Sequence, residues 1–222
     1  MTGVLFDFNG TMFFDQDFQE ISWKNYIRRK INREISDEEF QQHIHGKNSV
    51  DSLQYFLETS LSPDTVAAFE EEKEVIYRDL CLASEKFRLA DGLTEFWDTL
   101  KEHKIPMTIA TASGWNNVKF FFEHLKLDRW FDISRVVYND GAIAGKPAPD
   151  FYLAAAEKIQ TDISQCLVFE DSLSGIESAR RAGAGKIIQV LSMKEIRRFD
   201  HVDACISDYT GIQELMELAE LL

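Results

Sequence analysis

Four short stretches carry side chains able to do chemistry. The first is Gly3-Val4-Leu5-Phe6-Asp7-Phe8-Asn9-Gly10-Thr11, where an apolar run ends in a carboxylate and Asn9-Gly10 then turns the chain. The second follows Met107-Thr108-Ile109-Ala110 and reads Thr111-Ala112-Ser113-Gly114. The third is Gly145-Lys146-Pro147-Ala148-Pro149-Asp150, and the fourth is Glu170-Asp171-Ser172 after Cys166-Leu167-Val168-Phe169. Between them they offer hard oxygen donors, hydroxyls and one lysine. An acid at the carboxyl end of a central strand stands where open α/β sheets place ligands. Singly, each stretch has a structural explanation: Thr111 as a helix cap, Lys146-Pro147 as a turn, Glu170-Asp171 as acids favoured at a helix start. Their joint occurrence in this order asks for a functional one.

The elements that must position these residues alternate. From residue 89, apolar runs of strand length (107–110, 136–137, 166–169, 187–190, 204–206) are separated by stretches of helical periodicity, such as Leu93, Phe96, Trp97 and Leu100. Gly183 stops the helix that begins near Ile176. Strand and helix in alternation predict a parallel sheet with helices on both faces. Residues 16 to about 88 contain no convincing strand. Trp23, Tyr26, Ile27 and Ile31 mark one helix there, and Ser36 with Glu39 forms a capping-box signal for a second. Val50, Leu53, Phe56 and Leu57 mark a third, and Ser62-Pro63 opens a fourth. The expected fold is thus an α/β core of parallel strands, residues 1–14 and 89–222, with a helical module inserted over 15–88.

Composition sets limits on partners. The 222 residues suit one large domain, or a core with an insertion. A formal net charge of −14 without a basic cluster argues against nucleic acid and anionic membrane. An anionic substrate would need a local device against that field: a metal ion, a lysine or a helix N-terminus. The first strand follows Met1-Thr2 at once, which leaves no room for a signal peptide, and no apolar stretch nears the ~18 residues of a membrane span. Cys81, Cys166 and Cys205 lack metal-site spacing and read as buried, reduced thiols. A cytoplasmic monomer is expected.

Together the four stretches resemble the haloacid dehalogenase superfamily, in its β-phosphoglucomutase-like phosphatase branch, and the resemblance runs nearly end to end. It implies a mobile helical cap over a Rossmann-like core and a small phosphorylated metabolite as substrate. It implies Asp7 as the nucleophile, forming an aspartyl-phosphate that water later cleaves. Magnesium would be held by Asp7 and Asp171, by the backbone carbonyl of Asn9, and by Glu170 directly or through water. Thr111 would hydrogen-bond the transferring phosphoryl group and Lys146 would neutralise it. Gly10, Thr11, Ala112 and Ser113 would surround the phosphate. Gly46 and Lys47, in His45-Gly46-Lys47-Asn48-Ser49, would lie in the loop that reads the substrate.

One position departs from the family pattern. Asn9 stands where a second Asp commonly acts as general acid and base, so turnover of unactivated esters is expected to be slow. Two other readings follow from the same residues: a weakened member that binds phosphorylated ligands, and a carbon–phosphorus hydrolase using Lys47 as a Schiff base. A phosphomutase is disfavoured, since Asn48 and Ser49 replace an arginine and Gln19 replaces a histidine. Phe13 and Phe14 imply an apolar entrance. His43 and His45, two apart on a helix, point apart and read as structural or surface residues.

Overall fold

A computed structural model describes residues 1–44, 49–57, 61–192 and 198–218. The chain forms two compact units, Met1–Phe14 with Arg88–Leu222, and Asp15–Phe87.

The first unit is built on a six-stranded sheet whose described neighbours all pair in parallel. Its strands are β1 (Gly3–Phe6), β2 (Met107–Gly114), β3 (Val137–Asn139), β4 (Cys166–Glu170), β5 (Lys186–Val190) and β6 (Ala204–Ile206), in the order β3-β2-β1-β4-β5-β6. The chain winds outward from β1 through β2 to β3. It then returns to the other side of β1, so the order reverses between β1 and β4. Crevices at such reversals, at the carboxyl ends of the strands, are where open α/β sheets bind ligands.

β1 is buried along its whole length, which accounts for its unbroken apolar run. Alternation along it serves two cores. Leu5 packs with Phe151, Tyr152, Ala155, Val168 and Ile176 on one face. Phe6 lies on the other, stacked on Phe169 at 5.1 Å and edge-on to Phe96 and Trp97 at 6.3 and 6.0 Å.

β2 runs four residues past its apolar stretch, through Thr111-Ala112-Ser113-Gly114, before α6 (Trp115–Leu125). α7 spans Asp150–Lys158. α8 spans Leu173–Ala182, starting earlier than Ile176 because Ser172 caps it: its hydroxyl accepts from Gly175 N at 3.0 Å. Gly183 ends α8 in the left-handed region, φ 81°. α5 (Leu93–Glu102) and α9 (Ile212–Leu218) complete the helices named here for this unit.

The second unit holds α1 (Gln16–Ile31), α2 (Asp37–His43), α3 (Ser49–Leu57) and α4 (Pro63–Leu82). Their apolar stripes meet in a core that includes Trp23, Tyr26, Ile27, Phe40, Leu53, Phe56 and Ile76. Ser36 and Ser62 cap α2 and α4 as their sequence signals require. The capping box is not closed. Glu39 turns instead to the Arg33 guanidinium, with two bonds of 2.8 Å, a charge-assisted pair stronger than one backbone amide.

Cys81 and Cys166 are buried, and burial pushes their thiols up to about 12 and 11. Cys205 is only half-buried, correcting the expectation for that thiol, because its short strand β6 is partly open. Among the described residues no helix is long and apolar enough to cross a membrane.

Candidate active site

Strand register brings three of the four stretches to one end of the sheet, and the hydrogen bonds of Lys146 bring the fourth there. Phe6 is level with Ile109 on β2 and Phe169 on β4. The next residues, Asp7, Ala110-Thr111 and Glu170-Asp171, therefore lie side by side at that end. Asp7 is tied to this level by its backbone N–H, which donates to Phe169 O at 3.0 Å.

Lys146 sits at the centre of the acidic group. Its Nζ donates to Asp7 Oδ1 at 2.6 Å, Glu170 Oε2 at 2.7 Å and Tyr152 Oη at 3.2 Å. Only 6% of its side chain is exposed, against 10% for Asp7 and 1% for Glu170. Burial by itself would lower the Lys146 pKa. The two carboxylates outweigh it, and the ammonium is held above its ordinary value. Burial likewise pushes Glu170 up, and the Lys146 charge, helped by Tyr152 and Ser172, brings it below the ordinary carboxylate range. The pair is charged because each partner stabilises the other.

Both oxygens of Glu170 are taken. Oε2 accepts from Lys146 and, at 2.5 Å, from the Tyr152 hydroxyl. Oε1 accepts from the N–H groups of Asp171 (3.2 Å) and Ser172 (3.0 Å) and from Ser172 Oγ (2.9 Å). Gly175 fits closely here, since a Cβ on it would fall 2.0 Å from this carboxylate. Asp171 accepts from Thr11 Oγ1 at 3.4 Å. Gly10, at φ 75°, passes so near that a Cβ would lie 2.1 Å from Asp171 Oδ2.

Asp7, Glu170 and Asp171 each bring a carboxylate oxygen within 4.8 Å of the others. Three clustered carboxylates with one lysine suit a hard divalent cation by donor type.

On the opposite side, Ser113 Oγ donates to Asn9 Oδ1 at 2.8 Å, and Thr111 Oγ1 accepts from Ser113 N at 3.1 Å. Thr111 is buried, Ser113 and Asn9 are half-buried, and Ala112 is exposed. Tyr209, fully buried, donates to Thr11 O at 3.3 Å and so braces the turn after Asp7.

Gly46 and Lys47, with His45 and Asn48, lie outside the described residues. His43 stacks on Tyr55 at 3.6 Å, a packing role. Gln19 links two residues of its own unit, donating to Asp15 Oδ2 at 3.0 Å and accepting from Lys73 Nζ at 2.5 Å. Phe13 is buried, while Phe14 is half-buried.

The sequence reading missed Tyr152 and the second task of Ser172. Tyr152 follows Lys146 by six residues and sits in the first turn of α7, a spacing that carries no recognisable signal of its own.

A family profile described as haloacid dehalogenase-like hydrolase matches residues 1–183. The chain belongs to the haloacid dehalogenase-like hydrolase family. A crystal structure of a family IA, variant 3 hydrolase of this superfamily from Entamoeba histolytica is 36% identical, with a TM-score of 0.92 over 99% of this chain and 100% of that one. β-Phosphoglucomutase from Clostridium difficile shares the fold at a TM-score of 0.78 and 19% identity, covering 100% of this chain and 98% of that one. Among curated relatives, the phosphorylated carbohydrates phosphatase of Thermotoga maritima is 26% identical, over 86% of each chain. Hexitol phosphatase A of Escherichia coli is 27% identical over 90% of this chain and 88% of its own.

Proposed function

We propose that this haloacid dehalogenase-like hydrolase is a magnesium-dependent phosphatase of small phosphorylated metabolites, working through an aspartyl-phosphate on Asp7. The observation that carries the reading is the pairing of Asp7 with the buried Lys146 at 2.6 Å, inside a carboxylate cluster at the sheet's switch point. The relatives named as phosphatases support the same class.

Asp7 attacks phosphorus, the bond from phosphorus to the ester oxygen breaks, and the alkoxide leaves, taking its proton from solvent water because Asn9 has none to give. Water then attacks the acyl phosphate to release inorganic phosphate and restore the carboxylate. Lys146 holds one Asp7 oxygen in place and supplies positive charge to the transferring group. Thr111 and Ser113 offer hydroxyls on the neighbouring strand end. Asp7 and Asp171, with the Asn9 carbonyl, would hold magnesium, whose chemistry is to neutralise charge on the phosphoryl oxygens. The saturated hydrogen bonding of Glu170 fits a residue that fixes Lys146 better than a direct ligand.

Acid-quenched protein incubated with a radiolabelled acyl phosphate and magnesium should carry label on Asp7, and Asp7→Ala should carry none. Equal labelling of the two proteins would sink the proposal.

Asn9 favours a second reading, a phospho-ligand-binding member of weak turnover. Its side chain, held by Ser113, has no proton to transfer. Rapid hydrolysis of an alkyl phosphate by protein with a verified Asn9 would exclude that reading.

A further inference from the structure

We propose that Tyr152 is a positioning residue of this site: its hydroxyl closes a triangle of hydrogen bonds that keeps Glu170 on Lys146 and Lys146 on Asp7. The kinetic consequence rests on the phosphatase reading; the triangle itself does not.

An ammonium has three protons and no acceptor capacity. Those of Lys146 meet Asp7 Oδ1, Glu170 Oε2 and Tyr152 Oη. A tyrosine hydroxyl has one proton, and Tyr152 gives it to Glu170 Oε2 at 2.5 Å. Its oxygen is then the acceptor that Lys146 uses at 3.2 Å. Lys146 Nζ, Tyr152 Oη and Glu170 Oε2 thus satisfy one another, and the remaining ammonium proton is directed at Asp7.

Each corner is anchored differently. Glu170 is fastened through Oε1 to the start of α8. Tyr152 is fully buried on α7, packed in the core that also holds Leu5, Phe151 and Ile176. Lys146 belongs to the connection ahead of α7, and its ammonium also lies 4.9 Å from the Tyr152 ring centroid. Tyr152 therefore ties a loop lysine to a helix.

Packing alone does not account for a tyrosine here. Phenylalanine would fill the same volume and keep the ring beneath the ammonium, whereas a buried hydroxyl costs free energy unless it is bonded. Removing the hydroxyl takes a donor from Glu170 and an acceptor from Lys146 together. The ammonium then has a proton without its partner, and its hold on Asp7 loosens. The loss falls on the orientation of the reacting carboxylate, and so on kcat more than on KM.

The test is Tyr152→Phe, read in two ways. In metal-free protein labelled with nitrogen-15, the Lys146 ammonium should exchange protons with water at least ~10-fold faster in the variant, since hydrogen bonds to charged groups are among the strong ones. An unchanged rate overturns the proposal. With an aryl phosphate and magnesium, kcat should fall about 10- to 100-fold while KM moves less than about 3-fold, the range expected for one charge-assisted bond. A change confined to KM, or none, overturns it.

Should the wild type show no turnover at all, the phosphatase reading falls and the ammonium exchange decides the triangle alone. Should Tyr152→Phe not fold, the wild-type signal decides. A Lys146 ammonium protected far beyond those of exposed lysines supports the triangle, and one exchanging as fast as they do overturns it.

Discussion

Replacing Lys146 with methionine tests the electrostatic account of the site without any substrate. The side chain keeps most of its length and loses its charge. Asp7 and Glu170, with 10% and 1% of their side chains exposed, are then left buried without their common counter-ion. Breaking a buried pair from one side costs about 3–5 kcal/mol. That is a large part of a total stability of about 5–15 kcal/mol. The cost should depend on pH. In the wild type, Lys146 overcomes the burial that would raise the Glu170 pKa, so the folded-state value lies low. A group with a depressed pKa stabilises the fold above its unfolded value, and that contribution is lost as pH falls. In Lys146→Met, burial is opposed by the hydrogen bonds from Tyr152, Ser172 and the Asp171 N–H but no longer by a charge, so the Glu170 pKa rises relative to wild type. The variant then takes up a proton in the folded state as pH falls, which relieves the buried charge. Urea unfolding of both proteins in chelator at pH 8 and pH 5 should show the wild-type advantage shrinking toward the lower pH. An advantage that stays constant, or grows as pH falls, would refute the reasoning.

Two further substitutions probe the same end of the sheet. Gly10→Ala must place a Cβ at φ 75°, 2.1 Å from Asp171 Oδ2. The left-handed conformation alone costs about 1–2 kcal/mol, and displacement of Asp171 should weaken magnesium binding in calorimetry; unchanged affinity would show that Asp171 is not a ligand. Asn9→Asp should raise kcat for poor-leaving-group esters at saturating substrate by about 10²–10⁴-fold, the worth of a positioned proton donor. Protein verified by mass spectrometry as Asn9 and already as fast as the variant would show that another group supplies the proton.

The pattern of apolar runs was enough to place the strands around Asp7, Thr111 and Glu170, because buried parallel strands leave an unmistakable trace. Capping chemistry at Ser62-Pro63 and Gly183 was equally legible, being local. Legibility ended where a side chain chooses among distant partners. Glu39 had a local amide available and took Arg33. β2 continues through Ala112-Ser113-Gly114, residues too small and polar to announce a strand. Tyr152 reads as an ordinary helix residue until the sheet sets Glu170, 18 positions later, against it. Core and site could be read as types and spacings; the hydrogen bonds that lock Lys146 could not.

The charge balance of the site gives Asn9 a second meaning. Three carboxylates against one ammonium leave two net negative charges in a protein already at −14. A divalent cation would bring the cluster to neutrality, the condition under which a phosphate dianion can approach. An aspartate at position 9 would add one more negative charge beside the phosphate. At about 4 Å and an effective dielectric of ~20, a pair of unit charges repels by about 4 kcal/mol. The proton transfer forgone with Asn9, about 10²–10⁴-fold, converts to about 3–5 kcal/mol of barrier. The two quantities are of the same size. On the phosphatase reading, Asn9 would therefore exchange speed of release for ease of holding a phosphoryl group, which would move the site from turnover toward retention.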